Sequence, residues 1–110
     1  MPKKPLENLT ESMFYLLMAF IRGPACGTDA AAWVREKTGG RCQIGPATLY
    51  TILAKFEQEK YIEEIAVEGR KRTYRITGKG RIAYREELER LKRCVADAGS
   101  EPEGRSGYDG

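Results

Sequence analysis

The sequence contains no histidine and only three cysteines, Cys26, Cys42 and Cys94, which lie far apart in the chain. The common zinc sites use Cys and His ligands at short, regular spacings, and no such set can be assembled here. A glycine-rich phosphate loop after a strand and a carboxylate pair set among apolar residues are also missing. We therefore expect no metal, no other cofactor and no enzyme activity, and we expect the thiols to be reduced.

Long apolar runs are missing as well. The longest apolar-rich segment, residues 13–21, is too short to span a bilayer, and the N-terminal stretch MPKKPLEN has no secretory signal core. The 110 residues, 41% of them hydrophobic, suffice for one small core and leave no room for a second domain. These features predict a single-domain cytoplasmic protein that does not contact membranes.

Charge is abundant, at 32% of residues, but the net excess is only +3, so the total charge says little about a partner. The distribution along the chain is more informative. Residues 70–85 contain seven Lys or Arg and no acid, whereas residues 57–68 contain five Glu and one Lys. A cationic block beside an anionic block gives the molecule a polarised surface.

Apolar residues at helical spacing predict a first helix over residues 9–21, with Asn8 or Thr10 as its N-cap. A second, shorter helix is predicted over residues 27–38, between glycine-containing breaks. Trp33 lies within it and is expected to be its large buried anchor.

A third helix is predicted over residues 46–59, with Pro46 at the position where a missing amide hydrogen costs little. Its buried face is marked by an i, i+3, i+4, i+7 pattern of apolar residues, namely Leu49, Ile52, Leu53 and Phe56. The opposite face is small and polar and consists of Ala47, Thr51, Ala54 and Gln58, flanked by Thr48, Tyr50 and Lys55. An ordinary surface helix would carry more Lys and Glu, so this face suits insertion into a DNA groove.

After Lys60 the apolar period changes, and two β-prone segments, residues 61–68 and 73–76, flank a turn that begins at Gly69. The stretch GRKRTYRI covers this tip and the second strand. Its cations could simply protect an exposed hairpin from edge-to-edge aggregation. An unbroken run of one sign is better explained by contact with DNA phosphates through Arg70, Lys71 and Arg72.

Thr77 is the expected N-cap of a last helix over residues 77–95. One apolar seam runs along it, formed by Tyr84, Leu88, Leu91 and Val95. Because a small core leaves such a seam little to pack against, we expect it to pair with a second copy of the chain about a two-fold axis. Residues 1–8 are expected to be a flexible basic N-terminus, and residues 96–110 a disordered tail.

The element order therefore predicts an α+β, mainly α fold. In it, residues 9–76 form a winged helix-turn-helix of three helices and a two-stranded wing, and residues 77–95 form a dimerisation helix. In such a domain the third helix enters the major groove, while the wing touches the flanking backbone.

Three stretches, LTESMFYLLMAFIRGPACG, GPATLYTILAKFEQEKYIEE and GRKRTYRITGKG, together resemble the PadR family of winged helix-turn-helix transcriptional regulators. The resemblance extends from Leu9 to about Val95, and its last helix is similar to that of the short branch of the family. It implies a homodimer, usually a repressor, whose two recognition helices meet an inverted-repeat operator in promoter DNA. By this analogy four residues of the third helix, Thr48, Tyr50, Thr51 and Lys55, approach the major groove.

Two alternatives stay open from the sequence. The domain could be a winged-helix module for protein–protein interaction without specific DNA binding, since a fold does not determine function. A redox-responsive regulator could use Cys26 and Cys42, although a small residue packed in a turn explains Cys26 more simply. The sequence identifies no small-molecule inducer.

Overall fold

The computed structural model describes residues 9–105 and contains every helix and strand expected from the sequence, in the expected order, together with one short strand and one short helix that were not expected. The helices are α1 (Glu11–Ile21), α2 (Gly27–Lys37), α3 (Pro46–Gln58), α4 (Gly78–Gly99) and α5 (Pro102–Arg105). The strands are β1 (Ala25–Cys26), β2 (Ile62–Glu68) and β3 (Lys71–Ile76). The mainly helical α+β fold with its wing is confirmed.

The helix starts follow local capping rules. The hydroxyl of Thr10 accepts a hydrogen bond from the Met13 amide at 3.2 Å, and that of Thr77 accepts one from the Gly80 amide at 3.0 Å. Both side chains satisfy an amide that the helix itself leaves free. Pro46 occupies the start of α3, where its fixed φ suits the first turn.

Residues of α1, α2, α3, β2 and β3 form the core, and α4 packs against it through the partly buried Ala83 and Tyr84. Leu16, Leu17 and Phe20 of α1 are fully buried, and so are Val34 of α2 and Phe56 of α3. Trp33, which was predicted to anchor α2 in the core, is only partly buried and packs at its edge, with the Arg22 guanidinium 5.1 Å from the centre of its ring.

The strands form one antiparallel sheet in the order β1-β3-β2. The two residues of β1 pair with Thr73 and Tyr74, an interaction that the sequence did not predict because two residues carry no periodic signal. The turn between β2 and β3 has Gly69 and Arg70 at its centre, and Gly69 has a φ of +62°. Glycine adopts this conformation without steric cost, which allows the tight hairpin.

The last helix is longer than predicted. It continues past Val95 to Gly99, and α5 follows at Pro102, so the expectation of a disordered tail from residue 96 is wrong as far as residue 105. Residues 96–98 read Ala-Asp-Ala, and alanine has the highest helix propensity, so the helix continues until glycine. The remaining expectations, a flexible segment 1–8 and a disordered 106–110, lie outside the described residues.

Candidate nucleic-acid interface

Helix α3 presents the two faces that its sequence pattern predicted. Leu49, Ile52, Leu53 and Phe56 are all buried. The residues predicted to reach the major groove, Thr48, Tyr50, Thr51 and Lys55, are all exposed, and Tyr50 is 64% exposed. The helix is therefore held from behind by its apolar stripe while its short polar side chains face solvent.

The packing of α2 against α3 depends on a glycine. A Cβ atom placed on Gly27 would lie 2.7 Å from Cδ1 of Leu53, closer than two carbon atoms can approach. A side chain at this position would require Leu53 to move, so glycine allows the start of α2 to pack closely on α3.

A cleft of about 800 Å³ opens between α3, the wing and the start of α2. Its lining consists of Cys26, Gly27, Thr28, Asp29, Tyr50, Leu53, Gly69, Arg70, Lys71, Arg72 and Tyr74. The cleft thus places the exposed Tyr50 ring beside Arg70, Lys71 and Arg72, the three wing cations that the sequence predicts to contact DNA. Thr48, Thr51 and Lys55 do not line it, and lie on the open surface of α3.

The wing cations differ in their partners. The Arg72 guanidinium donates a hydrogen bond to the Glu64 carboxylate at 3.1 Å, and Arg75 pairs with Glu63. Within residues 9–105, Arg70 and Lys71 form no ion pair. These two cations at the hairpin tip can therefore meet an anion without first leaving a protein carboxylate.

Tyr74 and Ile76 are buried beneath the wing, as the alternation along β3 predicted. Burial raises the pKa of Tyr74, and the nearby Glu57 carboxylate raises it further. The rings of Phe20 and Tyr74 pack edge to face at a centroid distance of 6.3 Å. Tyr74 therefore holds β3 on the helical core and so fixes the wing relative to α3.

Two features of this surface were not predicted from the sequence. The hydroxyl of Thr51 donates to the Ala47 carbonyl of its own helix at 3.0 Å, which leaves its oxygen as an acceptor only. Thr28 and Asp29, from the first turn of α2, lie in the cleft although no periodic pattern marks them. Their participation follows from how α2 packs, so only the tertiary structure reveals it.

The predicted pairing seam on α4 is only partly covered by its own chain. The ring of Tyr84 stacks on Phe14 of α1, Leu88 and Leu91 are half-buried, and Val95 is 71% exposed. The chain therefore buries the beginning of the seam and leaves its end open.

An ion pair with one buried member lies beside this seam. The Glu87 carboxylate is only 6% exposed and accepts two hydrogen bonds from the Arg90 guanidinium, which raises the pKa of Arg90. Because a buried carboxylate is costly without a partner, this pairing allows α4 to pack on α1 there.

Cys26 and Cys42 are both buried, and Cys94 is exposed. The Cys26 thiol lies 3.4 Å from the Thr28 hydroxyl, as a small residue packed in a turn would. Across residues 9–105, no three potential ligands are grouped to hold a metal ion. No helix in that part of the chain is long and apolar enough to cross a membrane.

Residues 16–86 match the family described as the transcriptional regulator PadR-like family. A transcriptional regulator from Clostridium thermocellum is structurally similar, with a TM-score of 0.69, 29% identity and coverage of 82% of this chain and 90% of that one. A search of curated proteins finds no match to this sequence.

Two further solved structures share the fold. Bacillus subtilis PadR in complex with operator DNA has a TM-score of 0.61 and 21% identity, covering 69% of this chain and 45% of that one. A PadR-like transcription factor from Bacteroides fragilis has a TM-score of 0.67 and 20% identity, covering 77% of this chain and 84% of that one.

Proposed function

This chain belongs to the PadR-like family of transcriptional regulators, which are not enzymes, and we propose that it is a homodimeric repressor that binds an inverted-repeat operator. Helix α3 reads the major groove, and the wing binds the flanking backbone or minor groove. The partner is double-stranded promoter DNA.

One observation carries this proposal. Tyr50 of α3 and the three wing cations Arg70, Lys71 and Arg72 line a single cleft, next to a helix face that carries no acid before Glu57. Short polar groups on a helix can reach base edges in the groove, while neighbouring cations neutralise phosphates. The similarity to a PadR solved with operator DNA supports this reading.

Dimer formation is the second part of the proposal. The open end of the seam on α4, from Leu88 to Val95, is the surface through which two copies pair. A two-fold axis between the copies presents two α3 helices to half-sites about one helical turn apart. An inverted repeat is the DNA arrangement that matches this symmetry.

The test begins with selection of bound duplexes from random-sequence DNA by the wild-type protein. We expect the selected sites to share an inverted repeat and to bind at least about 1,000-fold more tightly than random duplex at the same salt concentration. Equal affinity for both would contradict sequence-specific binding and would favour the protein-interaction module instead.

A charge-matched pair of variants then tests the interface. In R70A/K71A/R72A, the slope of log K against log salt should fall by up to about 2.7 per bound protomer, because three phosphate contacts are lost. The control K37A/R85A/R93A removes three exposed cations that do not line the cleft. It should retain the wild-type slope, and equal losses in both variants would place the DNA elsewhere.

A further inference from the structure

The wing carries two Glu–Arg pairs that are neighbours in sequence. Glu63 of β2 is directly opposite Arg75 of β3, and their side chains form one pair. Glu64 is directly opposite Tyr74, and it pairs diagonally with Arg72, two residues earlier on β3. Because successive strand residues point to opposite faces, the two pairs lie on opposite faces of the wing.

Of the two ion pairs, only Glu64–Arg72 has a member that lines the cleft. Tyr74 is buried towards the helical core, and Arg72 shares its face because it is two residues away. Both side chains line the cleft together with Tyr50 of α3. The Glu63–Arg75 pair is on the outer face, and neither of its residues is among those that line the cleft.

Glu64 and Arg72 are joined by one hydrogen bond, and both side chains are partly exposed to solvent. One hydrogen bond of 3.1 Å joins Nη1 of Arg72 to Oε1 of Glu64, and the side chains are 61% and 30% exposed respectively. A guanidinium has five N–H donors, so most of those on Arg72 remain available to another anion. An exposed pair of this kind is worth about 0.2–1 kcal/mol, which a DNA phosphate can replace.

We propose that Glu64 is an internal counter-ion that holds Arg72 in the free protein and is exchanged for a DNA phosphate on binding. This inference rests on the proposed function. When Arg72 turns to the phosphate, the Glu64 carboxylate is left without its partner beside an anionic backbone and takes up a cation from solution. This uptake offsets one of the cations that the DNA releases. Glu64 therefore lowers the affinity for DNA and makes that affinity less dependent on salt concentration.

The test compares E64Q with E63Q. Each variant removes one negative charge and releases one arginine, which is Arg72 on one face of the wing for E64Q and Arg75 on the other face for E63Q. Binding is measured by fluorescence anisotropy on two labelled duplexes, one of random sequence and one selected by the wild-type protein, over a series of NaCl concentrations. E64Q should bind about 1.5- to 5-fold more tightly per protomer, with a slope steeper by up to about 0.9 per protomer. E63Q should match the wild type.

A double-mutant cycle assigns the effect to Arg72. In R72Q, the further change of Glu64 to Gln should steepen the salt slope less than it does in the wild-type background, because no arginine remains to be freed. Far-UV circular dichroism and urea unfolding of E63Q, E64Q and R72Q check that each substitution leaves the fold intact.

The possible failures are distinct. An unchanged or shallower slope in E64Q, an equal gain in E63Q, or a gain in R72Q as large as in the wild-type background would each overturn the counter-ion role while leaving DNA binding in place. A wild-type protein that binds neither duplex in a salt-dependent way would overturn the proposed function, and this inference with it.

Discussion

The ring of Phe14 on α1 stacks on the ring of Tyr84 on α4, with the centroids 5.0 Å apart and the planes inclined by 12°. This contact joins the winged helix-turn-helix to the helix through which we propose that the protein dimerises. Stacked aromatic pairs contribute beyond the area that they bury, so the junction is held by a specific contact.

Replacing Tyr84 with Ala should therefore lower the free energy of unfolding by about 2–3 kcal/mol, since the half-buried ring and its stacking contact with Phe14 are both lost. Y84F keeps the ring and should cost less than about 1 kcal/mol. Urea unfolding followed by circular dichroism measures both. Equal stability of Y84A and wild type would show that α4 is held on α1 by its other contacts.

A close contact of a glycine in the first turn of α4 gives a second prediction. A Cβ atom on Gly80 would lie 2.2 Å from the Tyr61 carbonyl oxygen, and a backbone atom cannot move aside as a side chain can. G80A should lower the free energy of unfolding by about 2–3 kcal/mol. G78A, in the same helical turn but with nothing within 4 Å, should change it by less than about 1 kcal/mol. Thermal unfolding of G80A and G78A tests this prediction, and similar unfolding temperatures for the two variants would contradict the close contact at Gly80.

The open end of the seam should control association. Val95 is 71% exposed, and V95D would place a charge in the proposed subunit interface, so the protein should sediment as a monomer at micromolar concentration. Ile82 is 55% exposed on the same helix, but the 100° step per residue turns it to a different side. I82D should remain dimeric in analytical ultracentrifugation. A V95D dimer as stable as the wild type would move the interface away from this seam.

Tyr50 offers a test of the proposed DNA surface that leaves folding undisturbed. Because its side chain is 64% exposed, Y50A should change stability by less than about 0.5 kcal/mol. Its affinity for the selected duplex should fall by about 5- to 30-fold, equivalent to about 1–2 kcal/mol. Y50F separates the ring from the hydroxyl, since it retains only the former. Wild-type affinity in Y50A would remove Tyr50 from the interface.

Alkaline pH should destabilise the protein through its buried phenols. Burial raises the pKa of Tyr61, Tyr74 and Tyr84 above their ordinary value of 10.0. The unfolded chain therefore loses these protons at a lower pH than the folded protein does. The stabilisation is complete below pH 10 and is lost as the pH rises through the folded pKa values.

Urea unfolding at pH 8 and pH 11 measures this loss, and tyrosinate absorbance follows the ionisation directly. The double variant Y74F/Y84F has fewer phenols to ionise, so its stability should fall less between the two pH values. An equal fall in the variant and the wild type would assign the pH dependence to other groups.

Much of this molecule was predictable because its signals are local. The apolar stripe of α3, the threonine cap of α4 and the glycine turn of the wing each depend on residues within a few positions of one another. The two-residue strand β1 and the extension of α4 to Gly99 were missed. The strand is too short for a periodic pattern, and the extension lies in a polar segment that resembles a tail.

The sequence by itself determined which elements form and which face of each is apolar, because backbone preference and side-chain spacing act over one or two turns. Only the tertiary structure decided which cations are free and which are paired. Whether Arg72 meets Glu64 depends on the strand register and on a bulge between Glu64 and Ala66. The cleft between Tyr50 and the wing likewise exists because α3 and β3 pack on a common core. No local sequence pattern determines how close these two elements lie.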